Sequence, residues 1–144
     1  MIFKADKFRE IEKILHNIEK MILDCEEKLT FTKCIIGISA VNDSGIRTQG
    51  RGDKVANQAV AIVEAETQLK HLLAMHAAIA YVKKLFKDDE AGALFELYYG
   101  KNKTIQAVAN KLHCHKKKII EMRNKIVAVT GIVLVEKGLY KYLE

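Results

Sequence analysis

Lys116, Lys117 and Lys118 stand in a row, and Asn124 and Lys125 follow about two helical turns later. Lysine ammonium groups neutralise phosphate, and an asparagine amide can pair with the edge of an adenine. Glu121, between them, can accept from the exocyclic amine of cytosine. From Lys101 to Lys125 there are eight Lys or Arg and one acid, a net of +7. The rest of the 144 residues nets −1, so the formal +6 of the whole chain originates in this stretch. Basic charge gathered in this way suits a polyphosphate partner.

Other chemistries fit the same residues poorly. His113-Cys114-His115 puts alternate side chains in a short turn, where they do not converge on one metal ion, and no second pair of ligands follows at metal spacing. A nucleophilic Cys114 would need an orienting group and an oxyanion site, and neither can be named. No glycine-rich phosphate cradle occurs. Glu64 and Glu66 lie two residues apart, on different sides of a helix, and do not form an acid/base pair. His71 and His76 stand without metal partners. The expectation is a binding protein with no cofactor and no metal, not an enzyme.

The cationic run needs a scaffold, and the spacing around it supplies one. Ile105, Val108, Ala109 and Leu112 share one face of a helix from Thr104 to Leu112. His113-Cys114-His115 form a turn, and a second helix starts near Lys116, with Ile119 and Met122 inward. Ala109 lets two helix backbones approach closely. The pattern is a helix-turn-helix whose second, basic helix is free to enter the major groove.

The elements before it read as long helices, favoured by the absence of proline. A helix over 4–35 is capped by Asp6, and Phe8, Ile11, Leu15, Ile18, Ile22, Cys25 and Leu29 make a heptad seam. Ile14 and Met21 broaden it, and Gly37 is expected to end the helix. The seam suits a helical hairpin within one chain or, alternatively, a homodimer through the N-terminal helices. Residues 38–53 read as a flexible glycine-rich loop, with Asp53 capping the next helix. That helix, over 54–87, carries Ile62, Leu69, Leu72, His76, Ile79, Val82 and Phe86 in one stripe. Lys87-Asp88-Asp89-Glu90 breaks the pattern. A helix over Glu90–Tyr99 follows, with Leu94, Leu97 and Tyr98 inward and Gly100 as its stop. Thr104 caps the helix after it. Gly131 interrupts the chain after Val129. The C-terminus then reads as a short β-hairpin, Ile132–Val135 with Leu139–Leu143, or as a terminal helical turn. The expected organisation is all-α: a helical hairpin over 1–87, then a DNA-binding unit over 88–144.

The 49% hydrophobic content supports a real core. Three cysteines at unequal spacing argue against a disulfide framework. Charges within the first ten residues oppose a signal peptide, and no run is long enough to span a membrane. The expected compartment is the cytoplasm.

The stretch YYGKNKTIQAVANKLHCHKKKIIEMRNKI resembles region 4 of sigma-70-type factors, over about residues 90–129. With the long helical N-terminal part, the chain is similar to the phage-encoded late-gene regulators of the ArpU and RinA type. His113 stands where that family usually has glycine, and His115 where it has Ser or Thr. The resemblance implies a sequence-specific transcriptional regulator of phage or prophage origin that binds double-stranded DNA and engages host RNA polymerase. Its DNA-contacting set would be Lys101, Lys103, Thr104, Lys111, His115, Lys116, Lys117, Lys118, Glu121, Asn124 and Lys125. Two other functions use the same features. A packaging protein of the small terminase type joins a helix-turn-helix to an oligomerising hairpin. An interaction module would use the basic helix against an acidic protein.

Overall fold

The computed structural model describes the backbone of residues 5–42 and 51–140 and the side chains of residues 5–35 and 56–140. The described residues are helical and include no strand. The order is α1 (Ala5–Asn42), α2 (Arg51–Leu85), α3 (Glu90–Leu94), a π-helical segment (Phe95–Gly100), α4 (Ile105–Leu112) and α5 (Lys116–Glu136). The chain divides into two units. Unit one comprises Met1–Ile18 and Ala74–Glu144, and unit two comprises Glu19–Leu73. Unit one therefore takes in the outer ends of both long helices, which the sequence assigned to the hairpin.

In unit two the seam residues Ile22 and Cys25 of α1 are buried, as are Ala65 and Leu72 of α2. The Cys25 thiol donates to the Ala65 carbonyl at 3.4 Å, which sets the level at which the two helices meet. In unit one Phe8, Ile11, Leu15 and Ile18 continue the seam inward. They share a core with Val82, Phe86, Leu94, Ile119, Ile126, Val127 and Leu134.

Two of the glycines read as helix ends are not. α1 runs through Gly37 to Asn42, and α5 runs through Gly131 to Glu136. A glycine inside a helix costs only about 1 kcal/mol, and burial of Val133 and Leu134 beyond Gly131 outweighs that. The C-terminal hairpin is thereby corrected: Ile132–Val135 form the last turns of α5. The Glu-Lys-Gly sequence is instead a helix stop. Gly138 adopts φ 70°, its N–H donates to Val135 O at 3.0 Å, and Leu139 N–H donates to Leu134 O at 2.8 Å. That is a Schellman motif with glycine in its left-handed position. Residues 141–144 lie outside the described residues.

The expected loop 38–53 is shorter at both ends, since residues 38–42 and 51–53 are helical, and its remainder, 43–50, lies outside the described residues. Asp53 consequently lies within the first turn of α2 and is not its cap. Asp6 likewise sits in the first turn of α1, where its charge complements the helix dipole.

The helix expected over Glu90–Tyr99 changes type midway. α3 gives way to π geometry at Phe95. A π turn is wider than an α turn and bonds residues five apart, so such residues come onto one face. Leu94 and Tyr99 are accordingly both buried, Tyr99 lies 5.5 Å from Phe95 between ring centroids, and Tyr98 is only half-buried. The segment ends at Gly100, as the sequence suggested.

Among the described residues no helix is long and apolar enough to cross a membrane.

Candidate nucleic-acid interface

α4 and α5 are joined by a turn that satisfies its own backbone. The Thr104 hydroxyl caps α4, accepting from Ala107 N–H at 3.1 Å. At the other end His113 takes φ 54°, ψ 43°, and its N–H donates to Asn110 O at 3.4 Å. Cys114 N–H donates to Ala109 O at 3.0 Å, completing the same Schellman pattern that Gly138 forms after α5. Here a histidine occupies the left-handed position, at a cost of about 1 kcal/mol. Replacing His113 with glycine is expected to stabilise the protein by about 0.5–1 kcal/mol and raise Tm by about 1–3 °C. A calorimetric scan checks this, and a lower Tm would contradict the turn geometry.

Val108, Ala109 and Ile119 are buried where α4 and α5 meet, so the inward residues are those that the spacing nominated. Ile105, Leu112, Cys114 and Met122 are half-buried around them. The Cys114 thiol donates to Leu112 O at 3.3 Å, and His113 and His115 are exposed. Among the described residues no group of three His, Cys, Asp or Glu could hold a metal ion.

The nominated contact residues fall into three sets. Lys101, Lys103, Thr104 and Lys111 are exposed around α4. Lys101 and Lys103 sit in the turn before it, where their N–H groups donate to Glu96 O and Leu97 O, each at 3.0 Å. His115, Lys116, Lys117 and Lys118 are exposed at the start of α5. The His115 side chain makes no cap there, so it leaves the first-turn N–H groups of α5 without a side-chain acceptor. Lys117, Glu121, Asn124 and Lys125 then follow at spacings of four, three and one, which aligns them along one side of α5.

Not every member is equally free. Lys118 Nζ lies 2.8 Å from Glu90 Oε2, and that hydrogen bond is the main cause raising its pKa. The Lys125 ammonium lies over the Phe86 ring, 5.9 Å from its centroid. Lys116 and Lys117 have no ion pair among the described residues. Asn124 is half-buried and its Oδ1 accepts from the Arg123 guanidinium at 3.2 Å.

Arg123 is the residue that spacing did not nominate. Its Nε lies 3.8 Å from Glu12 Oε1 on α1, and its guanidinium sits over Phe8, 5.5 Å from the ring centroid. The Tyr98 hydroxyl donates to the same Glu12 oxygen at 3.2 Å. Three elements, α1, the π segment and α5, thus converge on one carboxylate. Burial is the larger cause raising the Tyr98 pKa, with the Glu12 charge second, and the same two causes raise that of the more deeply buried Tyr99. His16 packs edge-on to both tyrosine rings, at 4.8 and 4.7 Å, and its Nδ1 is 3.3 Å from Asn102 Oδ1. An open cavity of about 340 Å³ lies beside this cluster, lined by Ala5, Phe8, Arg9, Glu12, Arg123 and Asn124. No local pattern could reveal the pairing, because Glu12 and Arg123 are far apart in the chain.

The class this defines is an all-α protein whose basic charge gathers on one unit. The chain belongs to the family described as protein of unknown function (DUF722), whose model matches residues 8–130. No curated protein and no solved structure matches it.

Proposed function

We propose that the chain is a sequence-specific DNA-binding regulator of transcription, with α4 and α5 acting as a helix-turn-helix. The observation that carries this reading is the exposed side of α5. It presents Lys117, Glu121 and Lys125, with the half-buried Asn124 beside them, from a helix locked to α4 by Val108, Ala109 and Ile119. Charge supports it: unit one nets +7 and unit two nets −1. The resemblance to sigma-70 region 4 and to the ArpU and RinA regulators points the same way. It adds phage origin, a bacterial cytoplasm and contact with RNA polymerase to the proposal.

In this reading the N-terminal half of α5 enters the major groove. Lys101, Lys103, Lys111 and Lys116 neutralise phosphates, and the Thr104 hydroxyl donates to one while its oxygen keeps the cap. The first-turn N–H groups of α5, with His115 beside them, face another phosphate. Lys117 neutralises a further phosphate, and Glu121 reaches a base edge first. Asn124 reads a base only by exchanging its bond to Arg123 for one to DNA, so Arg123 and Glu12 govern its freedom.

The test is binding to promoter fragments from the source genome across a salt series. Five lysine–phosphate contacts give a log-log slope of about −4 to −5. A slope near zero would sink the electrostatic claim. Asn124→Ala is expected to relax discrimination at one base pair by about 1–3 kcal/mol, leaving the salt slope unchanged.

The runner-up is a DNA-packaging protein of the small terminase type. The observation favouring it is apolar exposure on unit two, where Leu23, Phe31, Val60 and Val63 are each more than half exposed. Light scattering separates the two: a ring of many subunits supports packaging, and a monomer or dimer supports the regulator.

A further inference from the structure

The heptad seam of α1 is already occupied. Phe8, Ile11, Leu15, Ile18, Ile22 and Cys25 are buried within the chain, so they cannot also hold a second copy. α2 offers another surface. On its side away from Ala65 and Leu72 lie Ala56, Val60, Val63 and Thr67, at spacings of four and three. All four are exposed, Val60 by 53% and Val63 by 60%. The Thr67 hydroxyl donates to Val63 O at 2.8 Å, so covering it would strand no donor.

The charges around this stripe say what would cover it. Residues 55–63 include no charged side chain. Glu64 and Glu66 come just before Thr67-Gln68, and Lys70 and His71 just after, all four exposed. An antiparallel copy of α2 sets Glu64 opposite the partner's His71 and Glu66 opposite the partner's Lys70. A parallel copy sets acid against acid. Glu66 already meets Lys33 at 3.3 Å, but both side chains are about half exposed, which leaves the carboxylate open to a second donor.

We propose that the outer side of α2 is a self-association surface, pairing two copies of this chain antiparallel about a two-fold axis near Thr67 and Gln68. Thr67 packs against its own copy at the centre of the seam, Val60 and Val63 lie against the outer residues Lys70 and Ala74 of the second copy, and the ordered acids and bases fix its direction. A one-helix contact on each side is small, so the dimer is expected to dissociate at about 1–100 μM. The pairing does not depend on DNA binding. A chain that binds DNA as a monomer, and one that dimerises without binding DNA, separate the two proposals.

Sedimentation equilibrium of the full chain, over about 1–500 μM, tests it. The expected result is a monomer–dimer equilibrium. Val60→Glu with Val63→Glu should leave helical circular dichroism unchanged and abolish the dimer. Glu64→Lys with Glu66→Lys should weaken association at least about tenfold through like charges. Adding Lys70→Glu and His71→Glu to that chain should restore it, which a merely structural role would not do. Should the valine variant fail to fold, the charge exchange still decides. A monomer throughout the range, a closed ring, a dimer indifferent to Val60 and Val63, or a charge exchange without rescue each overturns the proposal.

Discussion

Gly92→Ala is expected to destabilise the protein by about 1–3 kcal/mol. Helix propensity alone argues the reverse, because alanine is favoured over glycine by about 1 kcal/mol inside a helix. The turn between α2 and α3 decides the sign. A Cβ at residue 92 would lie 2.4 Å from Phe86 O and 3.3 Å from Lys87 O. Both are backbone atoms, so no side chain can rotate aside. The turn is held by Asp89 N–H on Phe86 O at 3.1 Å and by Gly92 N–H on Asp89 O at 3.0 Å. Phe86 is itself buried and cannot shift without disturbing the core. Urea unfolding measures the effect, and an alanine variant as stable as the parent would refute the close approach.

The second large effect concerns binding. Replacing Lys116 and Lys117 together with alanine is expected to reduce the salt slope by about 2, and affinity at 0.15 M salt by about 30-fold. The loss should be alike for all DNA sequences, because lysines at phosphates carry no base information. Lys118→Ala should do less than either single change. Its ammonium already donates to Glu90 at 2.8 Å, and engaging a phosphate would mean giving up that partner. Fluorescence anisotropy on specific and scrambled duplexes, each over a salt series, distinguishes these results. Equal effects of the three lysines would argue against the Glu90 pairing in solution.

What could be read from the sequence was whatever depends on neighbours in the chain. The Thr104 cap, the turn at 113–115 and the start of α5 at Lys116 agree with local spacing and capping chemistry. The α1 seam agrees for the same reason, as Phe8 to Cys25 are buried. Glycine is where local reading fails, because its meaning lies in distant atoms. Gly37 and Gly131 sit inside helices, whereas Gly92 answers to a carbonyl six residues back and Gly138 closes α5. The π segment was illegible too: it aligns Leu94 with Tyr99, in place of Tyr98, in a core assembled from distant parts of the chain. Among the candidate contact residues, exposure of the lysines was legible. The restraint on Asn124 by Arg123, and of Arg123 by Glu12, was not.

The aromatic cluster around Glu12 carries an optical consequence. The chain has five tyrosines and no tryptophan, so its intrinsic fluorescence arises from tyrosine. Two of the five, Tyr98 and Tyr99, meet edge to face at 4.9 Å between ring centroids, beside the guanidinium that restrains Asn124. A duplex that draws Asn124 away from Arg123 would alter the polarity at those rings. Label-free emission and near-ultraviolet circular dichroism would then report the docking of α5 from within the protein.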